Sequence, residues 1–324
     1  MNIRPRINRA TVARRNLLHD SSLSSSLVQP YFIVEGQGVN DSIENMPGIQ
    51  RQSIDVLMNT IHDDFAIGIR NVMLFPVMPA GMKDPHATAC LDDTMHLYQA
   101  VRAIKEAYGD QIVVMTDLCL CTSTDHGHCG FVEHNEIQND SSVEQLARIA
   151  LLHAKSGTDY IACSDMMDGR VKHIRQALER AHQHTTGIMS YAVKYASAFY
   201  GPFRGAADSS PETGDRRTYQ MDPRAGYKEA LLEASLDEAE GADIIMVKPG
   251  LPYLDVLRRV ADSINRPTAV YNVSGEYSMV MNSTSDEAAR GAMVQEILAS
   301  FQRAGADIIV SYHAREALQN GWVV

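Results

Sequence analysis

The chain has 324 residues, with 29 basic and 40 acidic side chains and a formal net charge of −11, a length that allows two domains or one large barrel-type domain. The acidic balance excludes a protein that coats nucleic acid, which would show a basic stripe, and no run approaches the 18 apolar residues of a membrane span. Five cysteines without a regular framework fit a reducing compartment, here expected to be the cytoplasm, better than a secreted disulfide scaffold.

The first 34 residues carry Arg4, Arg6, Arg9, Arg14 and Arg15 against a single acid, Asp20, with serines over 21–26. That composition is also the one of an organelle transit peptide, but the simpler reading is a basic arm over residues 1–27 that docks on an acidic neighbouring surface, such as another subunit. Eight apolar runs of strand length follow: Val28 to Val34, Asn71 to Val77, Ile112 to Leu120, Tyr160 to Ser164, Ile188 to Val193, Ile244 to Pro249, Thr268 to Val273 and Ile308 to His313. Between them lie segments with helical spacing. Asp55 to Gly68 places Leu57, Ile61 and Phe65 four apart, and Val143 to Ser156, Ala225 to Gly241 and Asp286 to Gly305 behave alike. Three junctions repeat one phrase, SGTDYIACS (156–164), EGADIIMVK (240–248) and AGADIIVSY (304–312). Each pairs a glycine suited to a left-handed helix end with an aspartate just before an apolar strand. Strand and helix alternating eight times, with strands apolar on both faces, predicts a (β/α)8 TIM barrel over 28–324. Residues 195–223 break the rhythm. They offer no helical pattern and many turn residues, and the aromatics before Arg204 and the Arg216–Arg217 pair predict a functional lid.

Reactive residues of such a barrel belong at the C-terminal ends of its strands. Those ends supply Asp117, Cys119, Cys121, Ser164, Asp165, Lys194, Lys248, Ser274 and Tyr312. A lysine that closes the apolar run Ile244-Ile245-Met246-Val247 is out of place as a solvated charge. Burial and a second lysine on the adjacent strand both lower its pKa, which makes a neutral amine able to attack a carbonyl carbon and form a Schiff base. Taken alone, either lysine reads equally as a snorkelling or ion-paired residue. In DLCLCTSTDHGHCG (117–130), Cys119, Cys121 and Cys129 are spaced C-x-C-x7-C. Three protein ligands and one open position make a catalytic zinc site, while His126 or His128 as a fourth ligand would close it. Arg204 and Arg216 suit a bidentate grip on one carboxylate, and Ser274 and Tyr312 can hold another. Two carbonyl-capturing amines, two carboxylate grips and a metal describe an enzyme that joins two small keto acids. A class I aldolase-type lyase would need neither the second lysine nor the thiols, and a non-catalytic zinc-binding scaffold would not need Lys248.

At these residues the sequence resembles the porphobilinogen synthase (delta-aminolevulinic acid dehydratase) family. The resemblance covers nearly the whole chain and is strongest in 117–130, SDMMDGRV (164–171), MSYAVKYASAFYGPFR (189–204), GDRRTYQMDP (214–223), MVKPGLPYLDV (246–256) and YNVSGEY (271–277). It implies a lyase of heme (tetrapyrrole) synthesis that condenses two 5-aminolevulinate molecules to porphobilinogen with loss of two waters. Lys194 and Lys248 would form the Schiff bases, with Asp117 and Ser164 beside the reacting atoms. Arg204 and Arg216 with Gln220 would hold one substrate carboxylate, and Ser274 and Tyr312 the other. Cys119, Cys121 and Cys129 would bind zinc (Zn2+), and Glu233 would bind an allosteric magnesium (Mg2+) at a subunit interface of a homo-octamer. The stretches 83–93, 278–291 and 313–324 depart from the family pattern and touch none of these residues.

Overall fold

Eight strands pair in parallel, each with the next in sequence, and the last closes on the first. They are β1 (Leu27–Ile33), β2 (Asn71–Pro76), β3 (Val113–Leu118), β4 (Tyr160–Cys163), β5 (Gly187–Lys194), β6 (Ile244–Lys248), β7 (Thr268–Asn272) and β8 (Ile308–Ser311). The computed structural model describes residues 3–20, 22–211 and 214–323. A helix follows each strand on the outside: Ile54–Ala66, His96–Tyr108, Asn139–Ser156, Arg170–Arg180, Tyr227–Glu240, Leu254–Ser263, Glu287–Arg303 and the short Ala314–Gln319. The chain is a (β/α)8 barrel. Among the described residues no helix is long and apolar enough to cross a membrane.

Every strand residue is buried because each strand meets apolar neighbours on both faces. One set, including Phe32, Phe75, Met115, Tyr191, Met246 and Tyr271, fills the barrel; the other, including Leu74, Val114, Ile161, Val247 and Val270, packs under the helices.

The repeated Gly-x-Asp phrase explains how the helices are joined to this barrel. Gly157, Gly241 and Gly305 all have φ near +100° (104°, 103° and 100°), the left-handed turn that a side chain would strain. The aspartate two residues on then accepts a strand N–H: Asp159 from Val114 (2.7 Å), Asp243 from Ile188 (2.9 Å) and Asp307 from Thr268 (2.8 Å). Each carboxylate thus stitches β4, β6 or β8 to the strand before it.

The basic N-terminal segment closes the floor of its own barrel. It forms a short 3-10 turn at Pro5–Arg9 and a helix at Val12–His19. Arg14 reaches Asp159 at 2.7 Å and the carbonyl of Thr185 at 2.9 Å, Arg4 pairs with Glu179 at 2.5 Å, and Asn8 donates to the Asp243 carbonyl at 3.0 Å. The acidic surface that receives these two arginines is therefore on the same chain.

Three local features depart from the sequence reading. Residues 195–223 contain a 3-10 turn at Ala198–Tyr200 and a helix at Gly201–Ala206, six residues with a proline in the first turn and too short to show a period. Two hairpins were not foreseen. Asn40–Ser42 pairs with Gln50–Gln52, and Phe131–Glu133 pairs with Glu136–Gln138 across His134 and Asn135, which both have positive φ. All four strands have three residues, and the first pair is wholly polar, so no alternation betrays them.

Asp243 also pairs with the fully buried Arg175, whereas Asp307 is exposed. Chemical denaturation is therefore expected to show a loss of about 3–5 kcal/mol for Asp243→Ala, which strands a buried cation, and of only about 1 kcal/mol for Asp307→Ala. Equal losses would contradict this account of the junctions.

Candidate active site

A bulge decides the direction of Lys194. Along β5, Met189 and Tyr191 point into the barrel, so strict alternation would send Lys194 outward. Ile245 pairs with Ser190 but Val247 pairs with Val193, so β5 spends one residue more than β6 over this stretch. Ala192 and Val193 both face the helices, and Lys194 turns inward opposite Lys248. Both lysines are 5% exposed.

Lys248 stands in an aromatic chamber. Its amine lies 4.3 Å from the ring centre of Tyr271, 5.0 Å from Tyr191, and 5.2 Å from both Tyr200 and Phe203. Burial, with Lys194 beside it, pushes its pKa down to about 7, so a large share of the amine is neutral near neutral pH. The hydroxyls of Tyr271 and Tyr312 are 3.0 Å apart, and Ser274 Oγ accepts the N–H of Phe203 at 2.9 Å. Lys248, Ser274 and Tyr312 therefore share one half of the site. The amine of Lys194 donates to the carbonyl of Ser164, whose side chain hydrogen-bonds Asp117. Burial holds the Asp117 carboxyl above its usual range, against the pull of Ser164 and the two lysines. Asp117 can thus carry a proton next to both amines.

The other half lies between the thiol loop and the lid. Cys119, Cys121 and Cys129 are buried, free, and place their sulfurs within 4.8 Å of one another. Hydrogen bonds from Cys119 and Cys121 hold the Cys129 thiol well below its usual pKa, helped by Arg216 and Lys194. Burial pushes the Cys119 thiol up, and Cys121 is also pushed up to about 12, so the trio holds a single thiolate, and three buried sulfurs together suit a soft divalent ion. It is the one metal-sized cluster of histidine, cysteine and carboxylate among the described residues, and neither His126 nor His128 belongs to it. His128 lies 3.1 Å from the Tyr219 hydroxyl, and His126 accepts the His128 N–H at 3.1 Å. The group is three thiols, with neither histidine among them.

Arg216 fastens the lid to this loop. Its guanidinium donates to the carbonyls of Gly127 (2.9 Å) and Ser209 (2.5 Å), and Nε has no protein partner. Arg204 also leaves Nε unpartnered, and burial and the neighbouring Arg216 lower its pKa. Both ends of the buried Gln220 amide are unpartnered as well. Unsatisfied donors gathered on the lid itself are what a carboxylate ligand would satisfy. Lys83 holds the lid from outside through Asp208 at 2.6 Å, and Arg51 through the Ala206 carbonyl at 2.8 Å.

Glu233 is not part of this constellation. It lies on the outer helix Tyr227–Glu240, in a cleft that also takes in Asp168, Arg217, Tyr219 and Glu229. Burial and Asp237 push its carboxyl up to about 7. No metal-sized group of three donors forms around it among the described residues. Sequence reading missed the aromatic chamber, because Tyr191 and Tyr271 look like ordinary strand core. It also missed Ser209, whose buried hydroxyl is unpartnered beside Arg216.

The family model for delta-aminolevulinic acid dehydratase matches residues 2–320. The chain belongs to this family. Among its dehydratase relatives, the Synechococcus elongatus protein is 45% identical over 97% of this chain and 97% of its own length. The Methanothermobacter thermautotrophicus protein is 48% identical over 94% of this chain and 93% of its own. A solved structure of delta-aminolevulinic acid dehydratase (porphobilinogen synthase) from Toxoplasma gondii ME49, in complex with the reaction product porphobilinogen, superposes with a TM-score of 0.89. It is 40% identical, over 98% of this chain and 91% of that one.

Within the dehydratase site, Gly127 has φ +69°, and a Cβ there would meet the Ser210 carbonyl oxygen at 2.3 Å. Gly127→Ala is expected to prop the lid off the thiol loop, lowering catalytic efficiency about 10- to 100-fold and speeding protease nicking over 205–211. Unchanged nicking and turnover would show that the lid does not close on this loop.

Proposed function

We propose that this member of the dehydratase family is a porphobilinogen synthase, a lyase of tetrapyrrole synthesis that joins two 5-aminolevulinate molecules with loss of two waters. The carrying observation is the pair of buried amines, Lys194 and Lys248, opposite each other on adjacent strands. Each nitrogen bonds a substrate ketone carbon, and the ketone oxygen leaves as water once the imine forms. The neutral fraction of Lys248 makes it the ready nucleophile of its half. Asp117, whose carboxyl burial holds above its usual range beside both amines, is the group placed to deliver or take the proton that this exchange needs.

Carboxylate grips then orient the two imines. Ser274 and Tyr312 hold the substrate on Lys248, and Arg204, Arg216, Gln220 and the Ser209 hydroxyl hold the one on Lys194. A lid pinned by Arg51, Lys83 and Arg216 excludes water that would hydrolyse either imine. Zinc held by Cys119, Cys121 and Cys129 would supply Lewis acidity to the half-site next to Arg216. A thiol set of this kind is stable in a reducing compartment, and a cytoplasmic enzyme is the reading it supports. We further propose a homo-octamer with an allosteric magnesium at Glu233. Leu232 and Leu236, 56% and 47% exposed beside it, give that helix an apolar face for a neighbouring subunit.

With 5-aminolevulinate as substrate, the wild type should release porphobilinogen, and Lys248→Ala and Lys194→Ala should each lose about 10⁴-fold or more of that rate. A folded wild type that makes no porphobilinogen would remove the reading. Stripping metal with a chelator should abolish turnover and open three cysteines to alkylation, with zinc restoring both; alkylation unaffected by zinc would leave the thiols without a metal role. Glu233→Ala should abolish magnesium stimulation and leave zinc-dependent turnover intact, whereas retained stimulation would place magnesium elsewhere.

A further inference from the structure

Lys248, Ser274 and Tyr312 sit at the ends of three neighbouring strands, β6, β7 and β8, and one buried set of hydrogen bonds ties those ends together. Its hub is Glu276, 1% exposed in the first turn of the helix Ser274–Ser283. Oε1 accepts the N–H groups of Gly250 at 3.0 Å and Leu251 at 2.8 Å, just beyond Lys248. Oε2 accepts Asn272 Nδ2 at 2.7 Å and the Val273 N–H at 3.0 Å, just before Ser274. Asn272 passes the connection on, because its Oδ1 accepts the Ser311 hydroxyl at 2.9 Å. Ser311 Oγ in turn accepts the His313 N–H at 3.1 Å, which brackets Tyr312 on both sides. Asn272, Ser311 and His313 are all buried.

A helix start needs only a small exposed cap, and burying a carboxylate is costly unless donors surround it. Here four donors from two loops converge on one carboxylate, which fixes where those loops stand relative to each other. We propose that Glu276 is the positioning residue of the half-site formed by Lys248, Ser274 and Tyr312, a role that rests on the two-lysine reading above. It touches no substrate. It holds the amine, the serine and the tyrosine in one frame, so that a ketone and a carboxylate of the same molecule reach their partners together. Lys194 lies outside the strap, on β5.

Glu276→Gln keeps the shape, but in either orientation its NH2 faces two N–H donors, so one of the two loops must shift. The test is borohydride trapping of 5-aminolevulinate on the zinc-loaded wild type, Glu276→Gln and Ser311→Ala, with adducts at Lys194 and Lys248 quantified by peptide mass spectrometry. The expected result for Glu276→Gln is a 10- to 100-fold loss of adduct at Lys248, about the cost of an ångström-scale misplacement, with the Lys194 adduct at its wild-type level. Ser311→Ala, which cuts only the link to β8, should show a smaller loss confined to Lys248; if Glu276→Gln does not fold, Asn272→Ala, which removes one donor to the carboxylate together with the link to Ser311, is read in its place, with the loss again expected at Lys248 alone. Equal losses at both lysines, or none at either, would overturn the role of Glu276. A wild type without adduct at either lysine would remove the two-lysine reading itself, and this role with it.

Discussion

Two amines that a solvated protein would keep apart are buried side by side, and the rest of the site follows from that constraint. A closed parallel barrel is one of few scaffolds that can impose it, because closure fixes neighbouring strand ends within hydrogen-bonding distance of each other. Lys194 and Lys248 are such neighbours. Desolvation and mutual repulsion keep Lys248 partly neutral, and the aromatic rings around it offer no carboxylate to restore its charge. Asp117, the nearest acid to both amines, is itself held towards its protonated form by burial.

The barrel must therefore be rigid at both ends. At the floor, the aspartates of the repeated Gly-x-Asp junction stitch strands in pairs, and the N-terminal segment seals the opening with Arg14 and Asn8. At the top, Glu276 and Asn272 bind three strand ends together, while Arg216 couples the thiol loop to the lid. The lid reaches both halves, through Tyr200 and Phe203 at Lys248 and through Arg216 at the thiol loop, while the buried strap serves the Lys248 half alone.

Much of this was legible in the sequence, for identifiable reasons. Apolar runs alternating with helical periods gave all eight barrel strands, and strand-end placement singled out both lysines, Asp117, Ser164 and Tyr312. The C-x-C-x7-C spacing pointed to the thiol trio, which folds together because the loop turns back at Gly127 with positive φ. What escaped depends on geometry that residue type does not encode. The bulge at Ala192 and Val193 turns Lys194 inward, though counting alternate residues from Tyr191 would point it outward. Tyr191 and Tyr271 read as core and prove also to be chamber walls. Glu276 lay inside a recognised motif, yet nothing in YNVSGEY tells that its carboxylate crosses to the loop after β6. The basic arm read as a surface for some neighbour, and the acids that take Arg4 and Arg14 come from helix and strand junctions of the same chain.

The most direct measurement is the pH dependence of covalent capture at Lys248, following the rate of borohydride-trapped 5-aminolevulinate adduct on that residue alone. Because only the neutral amine attacks, the rate should rise with pH through a midpoint near the value of about 7 set by burial and by Lys194. Replacing Lys194 with methionine should move that midpoint upward, since a like charge is removed. A midpoint close to the ordinary lysine value of 10.5, indifferent to Lys194, would contradict the account: the two amines would then be neither desolvated nor coupled.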